Sequence, residues 1–319
     1  MRIQVAYAAL LLAVSGVHAA EPAYPTKPVR NIVGFAPAGA AFITARLLGQ
    51  RLAALWGQPD VTDNRPGAGS TIGSEIAAGA TPDGHTLTVV SASYAASAGL
   101  YKKLAFDPVK AFIPITMIAA GHNLLAAHPS VPATTAKELI AYAKANPGKL
   151  TMGSAGTGSV THLAGELFKL MAGIEVTHVP YKGGGPNLNA LIGGEIQISV
   201  MSLSAAIGQV RTGRLKALGI TSLKRSVAVP DIPTVAESGL PGYEAKNWYG
   251  ILTPAGTPKV VVAKLNRQIN DILRTPDMIA ALVKQGLEAE GSTSEAFSVY
   301  LKSEIAKWAK VVKSAGLQE

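Results

Sequence analysis

The sequence predicts an α/β protein with a largely parallel sheet, and three observations carry that prediction. From Tyr24 onward, short apolar runs alternate with amphipathic segments, which is the pattern of strand–helix–strand units. The 33 glycines and 20 prolines imply many turns between short elements. The chain has 319 residues, no internal repeat and no low-complexity linker. Its length suits two units, and the missing linker favours two lobes joined by crossing strands over two consecutive domains.

The elements follow in order. Residues 29–36 (VRNIVGFA) read as the first strand and 42–57 as the first helix. Residues 59–64 (PDVTDN) read as a strand, 70–80 as a helix after the NRPGAG turn, and 86–92 (TLTVVSA) as a third strand. The small-residue stretch 92–99 (ASYAASAG) reads as the boundary of that strand. A long connection through 107–115 leads into the apolar stretch 116–130. Residues 134–148 read as a helix with a Thr cap and an Asn-Pro-Gly stop. The alternation continues with a strand at 149–156, a helix at 159–173 and shorter elements from 176 to 222. Residues 247–258 read as a returning strand, and 259–275 and 294–316 as long helices.

Composition sets the class. Hydrophobic residues make up 48% and charged residues 15%, which suits a folded, well-cored chain. The net charge of +9 comes from scattered Lys and Arg. No basic run is interleaved with aromatics, so nucleic acid is not an expected partner. Arg2, the apolar run Val5–Val14 and the small residues of SGVHAA read as a signal peptide over residues 1–19. Val17 and Ala19 occupy the −3 and −1 positions before Ala20, and cleavage after Ala20 is the second choice. The mature chain is therefore expected to be exported and soluble. With 0 cysteines, it has no lipid anchor after the leader, no disulfides and no thiolate metal site.

The most telling stretch is Asn31–Gln50, NIVGFAPAGAAFITARLLGQ. A strand feeds a small-residue loop and then a helix, whose first amides lack intrahelical partners at the positive end of the helix dipole. Such a terminus suits a carboxylate or phosphate. The loop holds no Ser, His, Cys, Lys or carboxylate, so it can grip an anion but has nothing to react with it.

The rest of the chain offers no catalytic set. His18, His85, His122, His128, His162 and His178 show no metal-ligand spacing. His162 reads most simply as a hydrogen-bonded structural residue at the start of a helix. A Gly-x-Ser-x-Gly elbow is absent, and paired carboxylates for acid–base work are missing. Gly67, Gly69 and Gly73 fall one residue off the dinucleotide fingerprint, and Gly153, Gly156 and Gly158 invert it. Glycine loops of this kind serve better as backbone-amide nests for an anion. No cofactor and no metal are expected, and a non-catalytic binding protein is the natural reading. An exported hydrolase using a serine with His162 is the enzyme alternative.

Nine ordered motifs then carry a family resemblance: YPTKPVRNIVGFAPAG, DNRPGAGSTIGSEIAA, PDGHTL, AFDPVKAF, ELIAYAKANPGKL, SAGTGSVTHLAGELFK, HVPYKGGGP, ITSLKRSVAVPDIPTVAESGLPGYEA and WAKVVKSAG. Across almost all of the mature chain it resembles the periplasmic solute receptors of tripartite tricarboxylate transporters, the Bug or TctC-like proteins. The resemblance implies a two-lobed Venus flytrap of periplasmic-binding-protein type (type II-like), with two crossover strands as the hinge. Lobe 1 would comprise residues 23–121 plus 246–319, and lobe 2 residues 122–245. It implies a monomer that captures a small carboxylate and hands it to a membrane permease of two other subunits. A carboxylate sensor subunit of a signalling system is an alternative with the same binding surface.

Carried over by motif, the implied ligand-binding positions in lobe 1 are Phe35, Gly39, Ala40, Ala41, Phe42, Ser91, Ser93 and Tyr94. In lobe 2 they are Ser154, Gly156, Thr157, Gly158, Ser159, His162, Tyr181, Met201 and Ser202. The Ser154–Ser159 loop would hold one carboxylate, with Thr161 and His162 supporting it. Two departures from the family pattern matter. The usual acidic residue of the first loop is Phe42, and a second common Asp, at the end of the EIQISV strand, is Met201. Losing both acids argues against an amino-acid ligand. Phe42 is either a core residue of the first helix or part of an apolar slot with Tyr94 and Met201. The slot reading points to an aromatic dicarboxylate such as terephthalate, with an aliphatic di- or tricarboxylate as the alternative.

Overall fold

A computed structural model describes residues 24–318 except 36, 38 and 39. The expected leader with its cleavage site, and the loop glycine Gly39, lie outside the described residues. The chain opens with β1 (Val29–Val33), α1 (Ala40–Trp56), β2 (Asp60–Asn64), a single 3₁₀ turn (Ala68–Ser70), α2 (Thr71–Ala78), β3 (Thr86–Ser91) and α3 (Ala92–Leu100). Next come β4 (Phe112–Gly121), β5 (Asn123–Ala127), α4 (Ala136–Ala145), β6 (Thr151–Ser154) and α5 (Val160–Ala172). Then follow β7 (Thr177–Pro180), α6 (Gly184–Gly193), β8 (Ile198–Ser202), α7 (Leu203–Arg211) and β9 (Lys216–Ile220). The chain closes with β10 (Asn247–Pro254), α8 (Lys259–Leu273), α9 (Pro276–Val283), β11 (Leu287–Ala289) and α10 (Ser294–Ser314).

These strands form two sheets, so the molecule is α/β and two-lobed. One sheet has the order β11-β4-β10-β3-β1-β2 and the other β7-β6-β8-β5-β9. β1 lies parallel between β2 and β3, and β6 lies parallel between β7 and β8. β4, β10 and β5 run antiparallel to their neighbours. The chain passes from the first sheet to the second at His122, between β4 and β5, and returns between β9 and β10. The two crossings are tied side by side: the Thr221 hydroxyl and the Asn123 amide both donate to the Ala245 carbonyl, at 2.9 and 3.3 Å.

The cores show why the lobes stay in contact. One apolar cluster runs through both, joining Trp248, Phe297 and Trp308 of the first lobe to Leu163, Phe168 and Tyr243. Trp248 meets Phe297 edge-to-face with ring centres 5.8 Å apart, a favoured aromatic geometry. The Glu304 side chain is 3% exposed and accepts from both indoles, Trp248 at 2.8 Å and Trp308 at 3.1 Å. It also pairs with Lys307, so this buried charge is not left uncompensated. Two further clusters fill the remaining faces, one under α1, α8 and α9 and one under α6 and α7. Among the described residues, no helix is long and apolar enough to cross a membrane.

Two sequence expectations change. Residues 92–99, read as a boundary, belong to helix α3. Their small side chains are there for packing: a Cβ on Gly99 would lie 2.8 Å from the Ala309 Cα of α10. Pro276 opens α9 at its first turn, where a missing N–H costs nothing. That helix and β11 are not legible in the sequence pattern.

Candidate functional site

The parallel strands of both sheets end at helix N-termini: β3 leads directly into α3, β6 through a short loop into α5, and β8 directly into α7. In open α/β sheets, ligands collect at these carboxyl ends. A cleft of about 320 Å³ opens there between the lobes. Gly69, Ser93, Leu100 and Tyr101 line one wall, with Leu317 beside them. The segment from Ala155 to Ser159 forms the other. The sequence expectations Ser93, Gly156, Thr157, Gly158 and Ser159 are thus brought together across the interlobe gap.

The second-lobe wall is a glycine turn held by side chains. Gly156 has φ +132° and Gly158 φ +73°, conformations that disfavour any side chain. A Cβ on Gly156 would also lie 3.1 Å from the Tyr181 carbonyl. Ser159 caps α5, its hydroxyl accepting from the His162 amide at 3.2 Å. The Thr161 hydroxyl accepts from the Ala155 amide at 3.0 Å. His162 Nδ1 accepts from the Gly158 amide at 3.0 Å, which places the ring proton on Nε2, 3.5 Å from Glu166. These bonds use the inner amides of the turn. The amides of Thr157, Val160 and Thr161 bond to nothing among the described residues. They sit at the positive end of α5 and can receive an oxyanion.

Behind the turn lies a group that the sequence reading passes over. His178 of β7 stacks on His162, with ring centres 3.8 Å apart and planes 18° apart. Its Nε2 lies 2.7 Å from the Ser154 hydroxyl, which in turn accepts from the Gly156 amide at 3.1 Å. Burial, reinforced by the neighbouring His162, pushes the His178 imidazole down to about 4. Burial also pushes the Glu166 carboxyl up, but the bonds from His162 and Lys169 outweigh it and hold it below the ordinary range. The signal that could have found His178 is the parallel pairing of two histidine-bearing motifs. SAGTGSVTH and HVPYKGGG sit on adjacent strands, with Met152 opposite His178.

Other expected positions fall elsewhere. Tyr94 is 1% exposed. Its ring packs against Phe106 and Phe112, and its hydroxyl donates to the Pro108 carbonyl at 2.8 Å. Met201 is 3% exposed, in the core beneath α6 and α7. The apolar slot formed with Phe42 therefore does not exist as expected, because burial in the core satisfies both residues better than a wet cleft. Ser91 and Ser154 are buried too: Ser91 caps α3 through the Ser93 amide, and Ser154 braces the glycine turn. His162 is likewise a brace, buried beneath the turn. Ala41 is buried, while Phe35, Ala40 and Phe42 are half-buried against the core under α1. Tyr181 is half-buried, its amide bonded to the Ser154 carbonyl at 3.1 Å. Ser202 is exposed at the start of α7, 2.8 Å from the Ser204 hydroxyl. None of these last six lines the cleft described above. Among the described residues, no group of three His, Asp or Glu could hold a metal ion.

A family profile for the receptors of the tripartite tricarboxylate transporter family, TctC, matches residues 44–317. The chain belongs to that family. It is a family of substrate-binding receptors, not of enzymes, and its members work with a tripartite transporter. Protein BugT of Bordetella pertussis is 33% identical over 311 residues, covering 96% of this chain and 95% of BugT. Among solved structures, R. palustris Rpa4515 with adipate is 35% identical, with a TM-score of 0.75 over 92% of this chain and 98% of its own. MatC from Rhodopseudomonas palustris with bound malate is 33% identical, with a TM-score of 0.73 over 91% of this chain and 100% of its own. The TctC receptor thus shares its fold and a third of its residues with proteins solved holding dicarboxylates.

Proposed function

We propose that this receptor captures a small dicarboxylate between its lobes and delivers it to the membrane subunits of a tripartite transporter. The observation that carries the reading is the second-lobe turn. It presents the amides of Thr157, Val160 and Thr161 at the start of α5, with its remaining bonds already satisfied by Ser154, Ser159, Thr161 and His162. One carboxylate would sit there, and the second would face Ser93 and the helix N-termini of the first lobe. Sheet membership supports lobes of residues 23–121 plus 246–319 and of 122–245, closing about the His122 crossing. A monomeric, exported receptor that sheds residues 1–19 and works in the periplasm fits this role.

The similarity to proteins holding adipate and malate favours a flexible aliphatic dicarboxylate. An aromatic one such as terephthalate remains a second reading on one observation: Phe42, where the family pattern carries an acid, lies half-buried in the first turn of α1, against the same apolar cluster as Phe35. Titration calorimetry with adipate, malate, terephthalate, citrate and glutamate tests both. A dicarboxylate at one hundred times its Kd should stabilise the fold by about 2.7 kcal/mol. Binding of glutamate alone, or of none of the five, would overturn the proposal. Terephthalate binding tighter than adipate would select the second reading.

A further inference from the structure

We propose that His178 is the positioning residue of the second-lobe cradle, holding the Gly156–Gly158 turn in its anion-facing form through Ser154 and His162, and that it does so only as a neutral imidazole. The proposal deepens the dicarboxylate reading and rests on it. His178 does not line the cleft itself: it is half-buried on β7, the edge strand of its sheet, and reaches the turn only through Ser154 and His162.

Two separate contacts converge on the turn from this one ring. Through Ser154, His178 fixes the hydroxyl that accepts from Gly156. Through the 3.8 Å stack, it supports the ring whose Nδ1 accepts from Gly158. Gly156 and Gly158 flank Thr157, one of the residues whose amides are left open. If either brace slips, that amide turns away from the ligand.

The charges around His178 explain why it must stay neutral. α5 packs against it and presents His162, Glu166 and Lys169; β6 presents only the Ser154 hydroxyl. Glu166 is engaged by Lys169 at 2.8 Å and lies 3.5 Å from His162 Nε2, so it is not free to pair with His178. A proton on His178 would put an imidazolium face to face with His162. The depressed ionisation of His178 agrees with that geometry.

The test compares His178→Ala, His178→Phe and His178→Gln with the wild type, using adipate as the probe. Gln offers a nitrogen near the place of Nε2 and cannot ionise; Phe keeps a ring and loses the bond. Losing one hydrogen bond of this kind is worth about tenfold in affinity. We expect His178→Ala and His178→Phe to weaken adipate by about tenfold and His178→Gln to stay within about threefold of wild type. As pH falls from 6.5 to 4, the wild-type affinity should drop more steeply than that of His178→Gln, the ligand's own titration being common to both. Wild-type affinity in His178→Ala, or His178→Gln as weak as His178→Ala, would overturn the proposal. A ligand-free arm separates this from the parent reading. If no dicarboxylate binds the wild type, that reading fails, and amide exchange decides the role of His178. Faster exchange at Gly156 and Gly158 in His178→Ala but not in His178→Gln upholds the positioning role; unchanged exchange in His178→Ala rejects it.

Discussion

The two lobes face each other with loops of opposite construction. In the second lobe, Ser154, Ser159, Thr161, His162 and His178 hold the glycine turn from behind through a set of hydrogen bonds of 2.7–3.2 Å. In the described part of the first-lobe loop, the side-chain bonds are sparse. Asn64 donates to the Phe35 carbonyl at 2.8 Å, and Thr44 to the Ala40 carbonyl at 2.7 Å. Phe35 and Phe42 supply apolar packing there instead. On the proposed reading, the anion grip is built in advance on one side, while the other side is left to set shape and polarity. Affinity should follow the second lobe and selectivity the first.

Breaking the second-lobe turn should give the largest effect. Gly156→Val imposes a β-branched side chain at φ +132° and a close contact with the Tyr181 carbonyl. Chemical denaturation should show a loss of about 1–3 kcal/mol, and calorimetry should show no dicarboxylate binding. Ser154→Ala comes next, since it strips a buried acceptor from the Gly156 amide. It should cost about 1–3 kcal/mol through the unpaired groups left behind and weaken adipate measurably, with little change in far-UV circular dichroism.

Acid gives a smaller, graded effect. The unfolded chain binds a proton at His178 near the ordinary value of 6.5, and the folded chain only at about 4. Between those values the unfolded state holds more protons, so the contribution is full above 6.5 and is lost as pH falls toward 4. Urea midpoints taken across that range should fall for the wild type and fall less for His178→Gln. The smallest effects sharpen the first-lobe side. Phe42→Ala should shift the ratio of terephthalate to adipate affinity while leaving the second-lobe cradle intact. Tyr94→Phe should cost about 1 kcal/mol of stability by abandoning the Pro108 carbonyl and leave both affinities unchanged.

Much of this is legible in the sequence because it depends on local pattern. The Thr135 cap of α4, the strand–turn–helix at Ser154–Ala172 and the returning strand at Asn247 follow from periodicity and capping. The glycines of the second-lobe turn read as a backbone-amide nest because such nests need glycine and no side-chain chemistry. What cannot be read depends on contacts distant in sequence. The run ASYAASAG resembles a loop until α10 packs within reach of Gly99. Tyr94 and Met201 are apolar residues near strand ends, and only the tertiary packing decides whether such residues face a cleft or the core. His178 is one of several isolated histidines until β7 pairs with β6 and brings it onto His162.

The sharpest check on a preformed second-lobe grip is the amide spectrum of the ¹⁵N-labelled receptor during titration with adipate. The open amides of Thr157, Val160 and Thr161 should move furthest downfield at saturation, with Ser93 the leading responder in the first lobe. A saturable titration whose largest shifts lie away from the Ser154–Thr161 turn would contradict it.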